Sequence, residues 1–335
     1  MSFTALEVSA KPGSVNWNGV RCLVTGGSGF GGTHLIRRLL GAGATVTNYD
    51  LISTQTNLAQ YIDQVVGDVR SADLVSLTLA RAAIDVVFHL AAQPLVPVSV
   101  KLPLETLDVN AMGTYVMLEA CRRVGVSAFV LASSGAYYGS TSVTEPIPET
   151  FSPLPAANLY ASSKAAADLA LQGYVQTFDL PAGACRFMNT YGPGDTNLSR
   201  LVPRALDNLV HDRSYDFGDR DDGTSELDFL FIGDMVSSYI ALAEWLLVGR
   251  DLHGRDRTVN PVFNIGTGVA TSVSAVASLA SLAYDNVERT PIFRGPSKTV
   301  RVRKLLDASK AAEVLGWKAG TGLTVGLART MQSKS

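Results

Sequence analysis

The chain has 335 residues, of which 47% are hydrophobic and 17% are charged, and its formal net charge at pH 7 is −2. This length supplies the core of one large domain or two ordinary ones, and the mixed charges leave no basic patch for nucleic acid or an anionic membrane, so a small molecule is the expected partner. The sequence shows neither an apolar run of about 18 residues nor a signal-peptide pattern, and we therefore expect no membrane partner and a cytoplasmic protein.

Short apolar runs alternate with amphipathic stretches along the first 190 residues. Runs that are apolar throughout are typical of parallel strands buried on both faces, and their alternation with helices indicates right-handed crossovers. The predicted strands are Val20–Thr25, Ala44–Tyr49, Gln64–Val66, Asp85–Leu90, Val126–Ala132 and Gly183–Met188. The predicted helices are Phe30–Leu40, Ala72–Ala82, Leu104–Arg123 and one that begins near Leu159.

A glycine-rich turn follows the first predicted strand. Gly26, Gly29 and Gly32, with Phe30 and Gly31 between the last two, have the spacing for a tight turn, an approach to a pyrophosphate and close packing of helix on strand. The helix that begins here would point the positive end of its dipole at the phosphates. Ordinary strand–helix turns share this pattern, so the turn alone is weak evidence for a dinucleotide site.

Two aspartates strengthen the prediction of a dinucleotide site. Asp50 lies 24 residues after Gly26, at the end of the second strand, where its carboxylate can accept both ribose hydroxyls and would repel a 2′-phosphate. No arginine follows Asp50 nearby, so NAD is favoured over NADP as the cofactor. Asp68 and Val69, after the third strand, are predicted to reach the adenine, although Asp68 could instead cap the turn.

These patterns predict an α/β fold: a Rossmann-type doubly wound parallel sheet with a smaller C-terminal substrate-binding lobe. We divide the chain into an N-terminal extension at residues 1–19, an NAD-binding domain at 20–190 and a mainly substrate-binding lobe at 191–335. Because no clear linker separates the last two, we expect them to interleave.

Tyr160 and Lys164 are four residues apart on a predicted helix and therefore share one of its faces. A tyrosine acts as a base near neutral pH only if its pKa of about 10 falls by about 3 units, which a neighbouring lysine and a positive nicotinamide ring favour. Ser134 follows the fifth predicted strand, at the sheet edge where sites of open α/β sheets gather. Surface helices often carry the same spacing, so the prediction of these three catalytic residues depends on their combination.

Together these motifs resemble the extended short-chain dehydrogenase/reductase family, specifically its NAD-dependent nucleotide-sugar epimerase/dehydratase group. The resemblance extends from about Val20 to Met331. The motifs that carry it are the glycine turn, Asp50, Asp68, HLAA at 89–92, Asn110, SSGAYYG at 133–139, Tyr160, Lys164, RFMNTYGPGD from Arg186 and LGW at 315–317.

The resemblance implies transient oxidation of a nucleotide-linked sugar to a keto intermediate. In this scheme Ser134 hydrogen-bonds the reacting hydroxyl, Tyr160 takes its proton, and Lys164 also holds the nicotinamide ribose. Further cofactor contacts are implied for Leu90, Ala91 and Ala92. The implied substrate-binding residues are Gln93, Gly135, Ala136, Tyr137, Asn189, Arg200, Leu201 and Arg294.

Several other polar residues are interpreted as structural. His89 is a strand residue with a satisfied imidazole, and Asn110 hydrogen-bonds between helix and sheet. The widely spaced Cys22, Cys121 and Cys185 predict buried reduced thiols rather than a disulfide. The four histidines show no ligand-like spacing, so no metal site is expected.

The chain departs from the family at Gly135 and Ala136. Dehydratases of the family carry an Asp-Glu or Asp-Lys pair here, which eliminates water from the oxidised sugar. Positioned acid–base groups contribute about 10²- to 10⁴-fold, so their absence favours 4-epimerisation, with decarboxylation also possible. Glu145 or Glu149, in the following loop, could restore a carboxylate, and Tyr137 could either close over the sugar or pack in the core.

A second departure is Leu227, where the family usually has an arginine that binds the nucleotide diphosphate. Charge-assisted hydrogen bonds contribute about 1.5–3 kcal/mol, so diphosphate binding should weaken about 10- to 100-fold unless Arg200 or Arg294 compensates. The alternative is a dehydratase acting on a nucleoside or nucleotide sugar through the same keto intermediate, including formation of an exocyclic alkene on a substrate without a diphosphate.

A different class of protein, a non-catalytic NAD-binding sensor, is a minor alternative. A sensor has no need for the set Ser134, Tyr160 and Lys164, and its presence favours an enzyme. Members of the family often dimerise through the helices near Leu104–Arg123 and Leu159–Phe178, so a homodimer is expected.

Overall fold

The computed structural model describes residues 15–54, 56–139, 143–219, 221–251, 259–297 and 302–332, so most of the N-terminal extension lies outside the described residues. The strands are β1 (Arg21–Thr25), β2 (Thr45–Asp50), β3 (Asp63–Val66), β4 (Val86–His89), β5 (Ala128–Ala132), β6 (Ala182–Arg186), β7 (Glu226–Asp228), β8 (Val262–Asn264), β9 (Ala270–Ser272) and β10 (Arg303–Lys304). The helices are α1 (Phe30–Gly41), α2 (Ala72–Arg81), α3 (Val96–Lys101), α4 (Pro103–Leu107), α5 (Gly113–Val124), α6 (Leu159–Phe178), α7 (Leu201–Val210), α8 (Ile232–Asp251), α9 (Val273–Asp285), α10 (Ser309–Val314) and α11 (Leu323–Gln332).

The main sheet has seven parallel strands in the order β3-β2-β1-β4-β5-β6-β8. Apolar side chains of its central strands point alternately to two packed layers. One layer contains the buried faces of α1 and α8, and the other those of α2, α5 and α6. The prediction of a doubly wound parallel sheet is therefore confirmed, with strand bounds within two residues of those expected from the apolar runs.

The three cysteines are buried in these two layers. Cys22 and Cys185 lie in the first layer and Cys121 in the second, and all three are free thiols. Burial in apolar surroundings raises the pKa of each thiol. The prediction of reduced cysteines without a disulfide is confirmed.

The predicted helix Leu104–Arg123 is interrupted. α4 begins at Pro103 and leads through a π-helical turn at Asp108–Met112 into α5, while α3 is an additional short helix before it. Proline disfavours helical geometry in the residue before it, and Leu102 adopts φ −127° and ψ 67°, which separates α3 from α4. The sequence analysis predicted neither α3, which ends before the predicted helix, nor the π-helical turn inside it.

Residues after 190 contribute to both sheets. β8 pairs with β6 at the edge of the main sheet, whereas β7, β9 and β10 form a small sheet in the order β10-β7-β9. The division into domains at 20–190 and 191–335, with interleaving of the two, remains a prediction.

One apolar helix has the length of a membrane span. Residues Ile232–Gly249 of α8 meet that criterion by length and composition, but 61% of this segment is buried within the protein. α8 packs against β5 and β6, so its apolar side chains belong to the core.

Candidate active site

A cavity of about 440 Å³ lies at the carboxyl ends of the central strands. This is where open α/β sheets bind their ligands. All the residues predicted to contact the cofactor line it: Gly26, Gly29, Phe30, Gly31, Gly32, Asp50, Asp68, Val69, Leu90, Ala91, Ala92, Tyr160 and Lys164.

The glycine turn closes the cavity through backbone contacts that leave no room for side chains. Gly26 has φ +70°, and a Cβ there would lie 2.8 Å from the backbone nitrogen of Ala91. A Cβ on Gly32 would lie 2.3 Å from the carbonyl oxygen of Gly26. The turn therefore presents bare backbone to the cavity at the N-terminus of α1, as the approach of a pyrophosphate requires.

Asp50, at the end of β2, is hydrogen-bonded to the glycine turn. Its carboxylate accepts hydrogen bonds from the backbone nitrogens of Ser28 at 2.9 Å and Leu51 at 2.7 Å, and it lines the cavity at the end of β2. A carboxylate can accept about four hydrogen bonds, so one that accepts two from the backbone can still accept others from ribose hydroxyls. A carboxylate acceptor at this place fits the ribose hydroxyls in the adenosine half of NAD.

Asp68 caps its turn and also lines the cavity. Its Oδ1 accepts from the backbone nitrogen of Arg70 at 2.8 Å, which caps the turn, and the Arg70 guanidinium bonds both carboxylate oxygens. Hydrogen bonding to the Arg70 side chain lowers the pKa of Asp68. Val69 lines the cavity as well, and the contact of both residues with an adenine stays a prediction.

Tyr160 and Lys164 line this cavity, and Ser134 lies beside Tyr160. Burial raises the pKa of Tyr160, while a hydrogen bond with Ser134 and the charge of Arg200 oppose this rise. Lys164 Nζ donates to the carbonyl oxygen of Ala132 at 3.0 Å. Burial lowers the pKa of Lys164 to about 8, and the charge of Asp168 opposes that shift. The phenol of Tyr160 is therefore half-buried and hydrogen-bonded to Ser134, while the ammonium of Lys164 is buried on the same helix.

The side chains of His89 and Asn110, which the sequence analysis interpreted as structural, form hydrogen bonds within the protein. His89 is buried, with Nδ1 2.7 Å from Thr25 Oγ1 and Nε2 3.2 Å from Thr114 Oγ1. Asn110 Nδ2 donates to Ser163 Oγ at 2.9 Å, and its Oδ1 accepts from the backbone nitrogen of Gln93 at 2.7 Å. These bonds connect β4, α5 and α6 behind the cavity.

A second cavity of about 620 Å³ adjoins the first, and Tyr160 and Arg200 line both. Its wall beside Ser134 and Tyr160 includes the small residues Gly135, Ala136 and Ala161. The predicted substrate-binding residues that line it are Gly135, Ala136, Asn189, Arg200 and Leu201. Asn189 has φ +39°, a left-handed conformation that asparagine tolerates, and its Nδ2 donates to the carbonyl of Asp228 at 3.1 Å.

Three residues predicted to bind substrate do not line this cavity. Gln93 is folded into its own loop, where Nε2 donates to Thr106 Oγ1 at 2.9 Å and Oε1 accepts from the backbone of Leu95 at 2.6 Å. Tyr137 is buried with its ring 3.4 Å from the guanidinium of Arg186, so its core-packing interpretation applies. Arg294 is largely exposed and pairs with Asp216 away from the cavity.

The two glutamates considered as replacement acids also lie elsewhere. Glu145 is exposed and lines neither cavity. Glu149 is half-buried, and its Oε1 accepts from the backbone nitrogen of Asn264 at 2.7 Å. Neither carboxylate reaches the Ser134–Tyr160 region.

Lys304 is a cavity residue that the sequence reasoning missed. In the small sheet Lys304 of β10 pairs with Leu227 of β7, and both side chains line the second cavity. Residues in register on neighbouring strands lie on the same sheet face, and the strands are about 4.8 Å apart. The only sequence signal was a basic run at residues 301–304, and its pairing with Leu227 depends on a tertiary contact.

A doubly wound sheet, a bare glycine turn opposite Asp50, and a Ser–Tyr–Lys set beside it define a dinucleotide-dependent enzyme of the short-chain dehydrogenase/reductase class. The chain belongs to the NAD-dependent epimerase/dehydratase family, whose model matches residues 22–266. The prediction of an NAD-dependent enzyme that modifies nucleotide sugars is thus confirmed at the level of the family.

Curated relatives carry different activities within this family. The chain is 33% identical over 325 residues to a UDP-glucose 4-epimerase of Mycolicibacterium smegmatis, an alignment that covers 93% of this chain and 98% of the relative. It is 30% identical over 285 residues to a dTDP-D-glucose 4,6-dehydratase of Mus musculus, covering 81% and 74% of the two chains. Among solved structures, the UDP-glucose 4-epimerase of Thermotoga maritima with UDP-glucose superposes with a TM-score of 0.82 at 26% identity, covering 94% and 98%.

Proposed function

We propose that the protein interconverts UDP-hexoses by epimerisation at C4, through a transient 4-keto sugar. The relative from Mycolicibacterium smegmatis, which matches along almost its whole length, supports a UDP-sugar substrate. The observation that carries the choice of reaction is the composition of the wall beside Ser134 and Tyr160.

That wall supplies space rather than acid–base groups. Gly135, Ala136 and Ala161 line it next to the catalytic hydroxyls. Among the described residues that line this cavity, the one carboxylate is Asp221, which accepts hydrogen bonds from Gly223 N at 2.7 Å and Ser225 Oγ at 2.8 Å. Elimination of water requires a positioned acid and base, whereas a keto sugar that turns within the cavity requires room. The arrangement therefore favours epimerisation over dehydration.

Each catalytic side chain has a defined task in this scheme. Ser134 orients the reacting sugar hydroxyl by hydrogen bonding, and Tyr160 removes the proton of that hydroxyl. After the keto sugar has turned, so that hydride returns to the opposite face of C4, Tyr160 gives the proton back to the C4 oxygen. Lys164, held by Ala132, stabilises the phenolate and holds the nicotinamide ribose. The glycine turn, Asp50 and Asp68 would hold NAD, which would supply a reversible hydride acceptor, so the reaction would have no net redox change.

The experiment that tests this function is incubation of the protein and NAD with UDP-glucose, followed by proton NMR and mass spectrometry. We expect UDP-galactose to accumulate with no change in mass and no incorporation of solvent deuterium, because epimerisation at C4 forms no enolate. A product that has lost water would establish a dehydratase instead. In a parallel incubation with UDP-glucuronic acid, a product that has lost carbon dioxide would establish a decarboxylase.

We further propose that Lys304 and Arg200 bind the substrate's phosphates. Leu227 occupies the position where an arginine was expected, but Lys304 is its cross-strand partner, and a lysine side chain spans the distance to the same part of the cavity. Among the described residues, no hydrogen bond or ion pair engages the Lys304 ammonium, whereas Arg200 forms an ion pair with Asp195 at 3.0 Å. A free ammonium in a cavity favours an anionic ligand, which supports a nucleoside diphosphate over a bare nucleoside.

Lys304→Met is therefore expected to weaken UDP binding about 10- to 100-fold, since a charge-assisted hydrogen bond contributes about 1.5–3 kcal/mol. Calorimetry with UDP and with uridine separates the phosphate contribution, because uridine affinity should not change. The double variant Leu227→Arg/Lys304→Met should regain most of the loss. Lys318→Met removes an exposed lysine outside the cavity and is the matched control. Equal UDP affinity in Lys304→Met and Lys318→Met would refute the assignment.

We also infer a cytoplasmic homodimer. Val100 and Leu104, on α3 and α4, are each 73% exposed, and Leu169 on α6 is 49% exposed. Large apolar side chains exposed together on neighbouring helices are typical of protein–protein interfaces. Sedimentation velocity should report twice the chain mass of 35.5 kDa, and a monomer at micromolar concentration would contradict this inference.

A further inference from the structure

A buried ion pair lies one helical turn beyond the catalytic lysine. Asp168 follows Lys164 by four residues on α6, and Arg186 ends β6. Nε and Nη2 of Arg186 donate to the Asp168 carboxylate at 2.9 Å and 2.6 Å, and both side chains are almost completely inaccessible to solvent. A pair this deeply buried needs further partners to offset the desolvation of two charges.

Those further partners lie on either side of Ser134. On its N-terminal side, Ser133 Oγ donates to Asp168 Oδ2 at 2.5 Å. On its C-terminal side, Arg186 Nη1 donates to Tyr138 OH at 2.9 Å, and the guanidinium covers the Tyr137 ring at 3.4 Å. The ion pair thus holds the chain before and after Ser134 against α6, which carries Tyr160.

The fixed segment cannot shift easily in other directions. Tyr138 OH donates to Asn264 Oδ1 at 2.7 Å, which connects the segment to β8. A Cβ added at Gly135 would lie 2.4 Å from Cε of Met188, so the turn is also packed closely from the β6 side. The hydrogen bond between Ser134 and Tyr160 therefore depends on a segment whose position is set mainly by buried polar contacts.

We propose that the Asp168–Arg186 pair is a positioning unit for catalysis, which aligns Ser134 with Tyr160 through Ser133, Tyr137 and Tyr138 and provides the negative charge behind Lys164. This proposal presupposes the catalytic roles proposed above. Asp168 and Arg186 line neither cavity, so they act through other residues and do not touch the substrate.

The charge of Asp168 has a separate consequence for Lys164. The titratable or charged groups around Lys164 are Tyr160 and Asp168 on α6, His89 at the end of β4 and, behind Asp168, Arg186 on β6. His89 is neutral at physiological pH, because burial lowers its pKa to about 3. Asp168 is the group that raises the pKa of Lys164 against the effect of burial. Without this carboxylate, Lys164 should lose its proton at lower pH.

Two variants that each remove one hydrogen bond from the Asp168 carboxylate test the alignment. Ser133→Ala removes the bond next to Ser134, while Gln172→Leu removes a 2.8 Å bond to Asp168 Oδ1 from a residue that lines neither cavity. We expect kcat for UDP-glucose to fall about 10-fold in Ser133→Ala, with KM and NAD affinity unchanged, and to stay within about twofold in Gln172→Leu. Equal kcat values in the two variants would overturn the proposal.

Asp168→Asn tests the charge with a readout that a purely structural role would not change. The alkaline limb of the kcat–pH profile should move about one unit toward lower pH, and Asp168→Glu should restore it. NMR of protein labelled with carbon-13 at lysine Cε, with NAD bound and the resonance assigned by Lys164→Arg, should report the same fall in the pKa of Lys164. An unshifted limb and an unshifted Lys164 titration would contradict the proposal.

These outcomes are separable from failure of the proposed reaction. If the wild-type protein does not convert UDP-glucose, the proposed function fails, and the NMR titration of Lys164 still decides whether Asp168 controls its charge. If the wild type is active and Ser133→Ala equals Gln172→Leu, the proposed function stands and the positioning unit is rejected. If Asp168→Asn does not fold, the Ser133 and Gln172 pair still provides the test.

Discussion

Replacing Tyr160 with phenylalanine is expected to lower kcat for UDP-glucose epimerisation about 10²- to 10⁴-fold, the range that a positioned acid–base group contributes. The substitution removes only the hydroxyl that is hydrogen-bonded to Ser134 and keeps the ring at the junction of the two cavities. NAD affinity and the free energy of unfolding should therefore stay close to their wild-type values. Steady-state kinetics with titration of NAD by calorimetry measures both parts of this expectation.

The matched control is Tyr174→Phe, the same substitution on the same helix. Tyr174 OH bonds Glu119 Oε2 at 3.4 Å on the surface of α5 and α6, and Tyr174 lines neither cavity. Its kcat should stay within about twofold of wild type, as is usual for surface changes away from a site. Undiminished activity in Tyr160→Phe would remove the proposed base, and equal losses in both variants would indicate a nonspecific effect on α6.

The cofactor half of the site was predictable because its determinants are local in sequence. A glycine turn needs only the short stretch between β1 and α1, and Asp50 and Asp68 are fixed by following the next two strand ends. Parallel strands place all their carboxyl ends at one edge, so a correct strand assignment brings these residues together without further information. Tyr160 and Lys164 were predictable for the same reason, since their spacing fixes one helix face.

The substrate half was less predictable because it depends on packing between distant segments. Lys304 reaches the cavity only because β10 pairs with β7 in the register that sets it opposite Leu227. Tyr137 stands three residues after Ser134, but its ring turns away from the cavity because the buried Arg186 guanidinium lies over it. Arg294 forms its ion pair with Asp216, which no pattern near Arg294 indicates. Side-chain direction in loops and small sheets is set by such tertiary partners, and sequence spacing carries little of that information.

Gly32→Ala is expected to lower the free energy of unfolding by about 3 kcal/mol and to abolish measurable NAD binding, because overpacking a rigid site costs about 1–3 kcal/mol or more. The added Cβ would lie 2.3 Å from Gly26 O and 2.5 Å from Gly27 Cα. Both contacts are with backbone, so relief requires α1 to move away from the turn. That movement would displace the same backbone nitrogens that face the pyrophosphate.

Gly31→Ala provides the comparison, since Gly31 precedes Gly32 in the first turn of α1 and lines the same cavity. Its Cβ would first meet Met235 Cε at 3.0 Å, the flexible end of a side chain that can move aside. Alanine also favours a helix by up to about 1 kcal/mol over glycine, so the net change in stability should lie within about 1 kcal/mol. Urea denaturation and NAD titration of both variants measure the difference. Equal stability of Gly31→Ala and Gly32→Ala would mean that the turn can relax around a side chain, and that close backbone packing is not what shapes the cofactor site.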